Sequence, residues 1–121
     1  LAQVPSTVHA QDPLVEADSM LALADELSEQ GHYEEVEELY LGVLGIYERV
    51  FGRDHVNVAG SLNILGLLYN HLGRYEEAEP LYQEALAIRK AALLAGNPDI
   101  SETQKRLNEL HRAQEQGNDE D

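Results

Sequence analysis

A chain of 121 residues, 43% apolar and 26% charged, has the length and composition of one modest folded domain, able to bury about two thirds of its surface. Asp and Glu number 23 against 8 Lys and Arg, and the formal charge of −15 repels both nucleic-acid phosphates and anionic membranes. No run approaches the roughly 18 apolar residues of a membrane span, and with no Cys the chain has no thiolate metal site, disulfide or cysteine nucleophile.

Residues 1–11 read as a flexible N-terminal segment. The chain opens on Leu1 without Met, so the removal of an initiator or an upstream segment is expected. Val8-His9-Ala10 before Gln11 has the small-residue pattern of a signal-peptidase site, but the basic and apolar regions that should precede it are not in the sequence. A cytoplasmic location is favoured, with export to a periplasmic or outer compartment left open.

Five helices are predicted, over residues 13–30, 33–50, 56–72, 75–94 and 99–116, with both ends frayed. Asp12 before Pro13, Asp54, and Asn97 before Pro98 stand as cap residues where the first, third and fifth should begin. Gly31 and Gly73 stand where the first and third should end, each supplying a left-handed cap for a tight reversal. The third helix places Leu62, Leu65, Gly66 and Tyr69 at spacings of three and four, and the fourth does so with Tyr75, Ala78, Leu81, Tyr82, Ala85 and Ile88. Residues 117–121 read as a disordered acidic tail.

The sequence repeats itself at an offset of 42 residues. Gly31, Tyr33, Glu34, Leu39, Tyr40, Leu44 and Ile46 fall without a gap on Gly73, Tyr75, Glu76, Leu81, Tyr82, Leu86 and Ile88. The register runs back through Asp12 with Asp54, Ser19 with Ser61 and Leu23 with Leu65, and forward through Leu65 with Leu107 and Leu68 with Leu110. Two full units, about 12–53 and 54–95, are followed by a third that stops after its first helix, about 97–116.

LNILGLLYNHLGRYEEAEPLYQEALAIRK from Leu62 resembles the tetratricopeptide repeat, in Leu65, Gly66, Tyr69, Gly73, Tyr75, Ala78, Tyr82 and Ala85. The linker FGRDHVNVA from Phe51 is similar to the Gly-x-Asp-His-Pro-x-Val-Ala connector of the 42-residue kinesin light chain variety, with Val56 in place of Pro. The resemblance covers nearly the whole chain. It implies an all-α fold of antiparallel helix hairpins wound into a right-handed superhelix, about five helices forming two full repeats plus a C-terminal capping helix. The first unit departs from the pattern, with Leu27 for Tyr69, Val36 for Ala78 and Val43 for Ala85. Gly42 and Gly45 also stand inside its second helix, at about 1 kcal/mol each against Ala. They either make room for Val36 or Val43 or reflect drift in a terminal repeat.

Nothing in the sequence forms a catalytic constellation, and no cofactor or metal site is expected. The five His make no His-Glu-x-x-His pattern, the Ser residues lack a glycine-flanked elbow, and no Gly-rich phosphate loop is present. The acidic clusters Glu34, Glu35, Glu37, Glu38 and Glu76, Glu77, Glu79 sit at helix starts, where the dipole stabilises them.

Polar residues left over after packing point to binding. Asn63, Leu67 and Asn70 form a second stripe on the third helix, at i, i+4 and i+7, beside the packing stripe and not needed by it. The same register picks out Asp18, Leu21, Asp25 and Ser28 on the first helix, and Lys105, Glu109 and Arg112 on the fifth. The resemblance implies that these helices line a concave groove that holds a partner segment, with Asn63 where the family often has an Asn for the ligand backbone. The alternative is a solvated helix face.

No Lys or Arg precedes Arg49, whereas residues 1–48 hold eleven acidic side chains, so a basic or neutral protein segment is the expected partner. Kinesin light chain grooves favour acidic cargo motifs, so that function does not follow. The carboxylate clamp of chaperone-binding relatives is also missing, with Leu21 and Asp25 at its first positions, only Arg106 kept, and Asn63 one place off. The reading is a non-catalytic protein-interaction module. Its alternative is a self-assembly module, either a homodimer through the apolar N-terminal helix or part of a longer solenoid.

Overall fold

Five helices make up the computed structural model, which describes residues 12–119: α1 Pro13–Glu29, α2 Tyr33–Phe51, α3 Val56–His71, α4 Tyr75–Ala92 and α5 Pro98–Asp119. Each hairpin turn spans only a few residues. The segment 1–11 with its Val8-His9-Ala10 pattern, and Glu120 and Asp121, lie outside the described residues. The chain divides into two units between Arg53 and Asp54. The first is the hairpin α1–α2, and the second is α3, α4 and α5, with α4 packed on both neighbours.

The helix ends follow from cap chemistry. The Asp12 carboxylate accepts from the Leu14 N–H at 3.0 Å, and the Asn97 carboxamide oxygen from the Asp99 N–H at 2.9 Å. At α3 the cap is His55 rather than Asp54: its Nδ1 accepts from the Asn57 N–H at 3.1 Å, which needs a neutral ring with its proton on Nε2. Gly31 and Gly73 take positive φ, 82° and 78°, as the tight reversals require. There the His32 N–H reaches back to the Leu27 carbonyl at 2.9 Å and the Arg74 N–H to that of Tyr69 at 2.8 Å, closing both helices in the same way one repeat apart.

The C-terminal ends of α1, α2 and α3 fall one residue from the sequence prediction, and two others differ by more. α4 stops at Ala92 rather than 94. α5 runs on to Asp119 rather than 116, so 117–119 are helical and not part of a disordered tail. Gln114, Glu115 and Gln116 are good helix formers and no Pro follows them.

In the first unit Ala17 of α1 packs with Val43 and Ile46 of α2, flanked by Met20, Leu21 and Tyr47. Of the two causes expected for the glycines of α2, making room for Val36 or Val43 does not hold. A Cβ on Gly42 would collide with the Met20 methyl, so Gly42 makes room for Met20 and not for a valine, while a Cβ on Gly45 would meet nothing within 4 Å.

In the second unit α4 comes up tightly against α3 at Gly66. A Cβ there would lie 2.8 Å from Cε1 and 3.1 Å from Cζ of Tyr82, whose ring is fully buried. The Tyr82 hydroxyl has no hydrogen-bond partner. Burial pushes its pKa up to about 12, with the nearby Arg106 pulling it down and Glu109 raising it. α5 lies on α4 through Thr103, Leu107 and Leu110, a buried i, i+4, i+7 stripe. Polar contacts hold it near its start and just past its middle: Arg89 Nη1 donates to Thr103 Oγ1 at 2.6 Å, and His111 Nε2 donates to Glu79 Oε2 at 2.8 Å.

These contacts give opposite signs to one substitution. Gly66→Ala should lower stability by about 1–3 kcal/mol, because a rigid ring would have to move. Gly45→Ala should raise it by up to about 1 kcal/mol through helix propensity alone. Urea unfolding followed by circular dichroism measures both.

Tyr82→Phe removes a buried hydroxyl that bonds to nothing, so it should leave neutral-pH stability unchanged or raise it by up to about 1 kcal/mol. The folded state keeps Tyr82 protonated up to about pH 12, whereas the unfolded state loses that proton near 10.0. The parent should therefore lose stability as pH rises between those values. Alkaline unfolding curves should be less steep for the Phe variant.

Candidate partner-binding face

α3 carries no Asp, Glu, Lys or Arg along its length. Most of it is buried, including Leu62, Leu65, Leu68 and Tyr69, and the partly open positions include Leu67 and Asn70. Asn63 differs from the sequence expectation. It is only 6% exposed rather than standing clear of the core, and its Oδ1 has no hydrogen-bond partner. The stripe is therefore graded, from a sunken carboxamide at Asn63 through a half-buried Leu67 to Asn70 in the last turn. There the Asn70 carbonyl accepts from the Gly73 N–H at 3.1 Å. A buried acceptor without a donor is costly, and its cost is relieved by whatever N–H reaches it.

On α1, Asp18 and Asp25 are exposed. Leu21 is half-buried against the Ala17, Val43 and Ile46 cluster, so packing already uses part of it. Ser28 is half-buried as well. Asp25 lies near Tyr40 of α2, whose pKa is raised first by burial and then by that carboxylate.

On α5, Lys105, Glu109 and Arg112 are all exposed. Their neighbour Arg106 is half-buried, 3.8 Å from Glu102, and its Nε lacks a hydrogen-bond partner. The structure thus brings Asn63, Leu67, Asn70, Lys105 and Arg112 into the second unit, while Asp18, Leu21 and Asp25 belong to the first.

Sequence reasoning missed a cleft of about 690 Å³ between the start of α4 and the end of α5, lined by Arg74, Glu77, Ala113 and Gln114 among others. Arg74 is engaged there. Its Nε donates to Glu77 Oε1 at 2.8 Å and its Nη2 to Oε2 at 2.7 Å, and its guanidinium lies 4.4 Å from the centre of the Tyr69 ring. The hydrogen bonds from Arg74 hold the Glu77 carboxyl below its ordinary pKa. The Arg-x-x-Glu spacing at Arg74 was the available signal. The arrangement closes a helix end and leaves no free cation for a ligand. Among the described residues no three His, Asp or Glu side chains gather to hold a metal ion, and no helix is long and apolar enough to cross a membrane.

Comparison with known proteins agrees with this architecture. A tetratricopeptide repeat family model matches residues 15–91 and again 57–118. The crystal structure of BtubC (BKLC) from P. vanneervenii superposes with a TM-score of 0.74 at 30% identity, covering 80% of this chain. This chain spans 39% of that one's length. A search of curated protein sequences finds no match. With a fold of helix hairpins repeating every 42 residues and a family match over most of its length, the chain belongs to the tetratricopeptide repeat family.

Proposed function

We propose that this chain is a non-catalytic interaction module that holds a segment of a partner protein against the first helices of its repeats. The observation that carries the reading is α3: a helix without charge whose partly open side presents Leu67 and Asn70 beside the unpartnered Asn63 acceptor. A peptide backbone can donate to and accept from the Asn70 carboxamide, while Leu67 offers an apolar contact and Asn63 lies sunken beside them. Tetratricopeptide modules generally serve protein–protein interaction, which supports the class of function.

Charge favours a basic or neutral segment. Asp18 and Asp25 on α1 are exposed, and no basic residue accompanies them on that helix. A second reading, self-association through α1, draws on the exposure of Val15 and Leu23 but sets the acidic side chains of two α1 helices against each other.

Selection of binders from a random peptide library should return segments that are neutral or basic. Against such a peptide, Asn63→Ala combined with Asn70→Ala should weaken binding about fivefold or more, the scale of one lost hydrogen bond. The fold should survive, because Asn63 Oδ1 bonds to nothing. Unchanged binding by the double variant would refute the assignment of this face, and isothermal titration calorimetry reads it directly.

A further inference from the structure

The 42-residue register allows one position to be compared three times within the chain. Leu23, Leu65 and Leu107 are equivalent, as are Ser19, Ser61 and Thr103, and Glu26, Leu68 and Leu110. In the second and third copies all these positions are buried, Leu65 being 1% and Leu107 4% exposed. In the first copy Leu23 is 46% exposed, and Ser19 and Glu26 are open as well. Val15, one turn earlier on the same side of α1, is 55% exposed. A face with the residue pattern of a helix seat is therefore uncovered.

The second unit displays what such a seat receives. On α5 the equivalent residues lie under α4, which aligns Tyr82 beside Arg106 and Glu109 and places Arg89 Nη1 on Thr103 Oγ1 at 2.6 Å. On α1 the equivalent hydroxyl is Ser19, and a carboxylate, Glu26, replaces the apolar Leu110. Around them α1 carries Glu16, Asp18, Asp25 and Glu29 and no basic residue. Two copies of α1 face to face would set these carboxylates against each other, which opposes self-association. A basic helix meets the complementary potential.

We infer that the α1 face of Val15, Ser19, Leu23 and Glu26 is a docking site for a basic amphipathic helix of a partner protein, seated on α1 as α4 is seated on α5. Apolar side chains of that helix cover Val15 and Leu23. An arginine placed as Arg89 is on α4 donates to the Ser19 hydroxyl, and a second basic side chain pairs with Glu26. This surface is separate from the α3 stripe, and the two can be tested apart.

The probe is a synthetic helical peptide that keeps Tyr82, Leu86 and Arg89 of α4 at their native spacing and carries Lys at its other exposed positions. Fluorescence anisotropy with the full chain should show saturable binding that weakens with added salt. Leu23→Gln and Glu26→Lys should each weaken it about tenfold. Both residues are exposed, so circular dichroism should be unchanged, and Asn63→Ala should bind the peptide like the parent. The inference is overturned if no binding occurs, if a peptide with Glu in place of Lys binds equally well, or if amide shifts on binding fall on α3 rather than α1. Sedimentation showing a dimer that Leu23→Gln dissociates would assign the face to a second copy and overturn it too.

Discussion

The second unit depends on the absence of one side chain. With no Cβ at Gly66, the ring of Tyr82 lies directly against the backbone of α3, and the helices close to a distance that a methyl group would prevent. From that contact follow the full burial of Tyr82, the burial of Ala78 and Ala85 along the same helix, and the surface on which α5 rests. The first unit meets the same demand differently. Its close point is Gly42 against the flexible Met20, and the larger Val36 and Val43 occupy the positions of Ala78 and Ala85.

Much of this was legible in the sequence because the signals are local. Proline, capping residues and Gly31 and Gly73 set helix ends through the backbone groups of a single turn, so four of the five starts were placed to the residue and the fifth to its neighbour. The misses share a different physical origin. His55 displaced Asp54 as a cap because an imidazole nitrogen accepts a hydrogen bond as a carboxylate does. The partner of Gly42 lay on another helix, and the periodicity of α2 carries no information about where the Met20 methyl goes.

The candidate site was legible to a lesser degree. Asp18, Asp25, Lys105 and Arg112 are exposed, as a helical wheel suggests, but Asn63 is sunken and Leu21 half-covered. A wheel gives direction around one axis, whereas depth depends on how close neighbouring helices come. The repeat register proved more informative than the wheel for one face. Three leucines share one register position, and their surroundings leave Leu23 open where Leu65 and Leu107 are closed.

Within each unit the packing joins consecutive helices, α1 with α2, α3 with α4 and α4 with α5, across short connections. Closing loops of that length costs little chain entropy, and folding rates rise as contacts become more local. Each hairpin can therefore begin to form from local contacts once its own two helices have been synthesised. α5 then has a template in α4, on which Arg89 and Glu79 fix the places of Thr103 and His111. The order of synthesis and the order of assembly coincide, so a nascent chain of this design exposes its apolar helix faces only briefly.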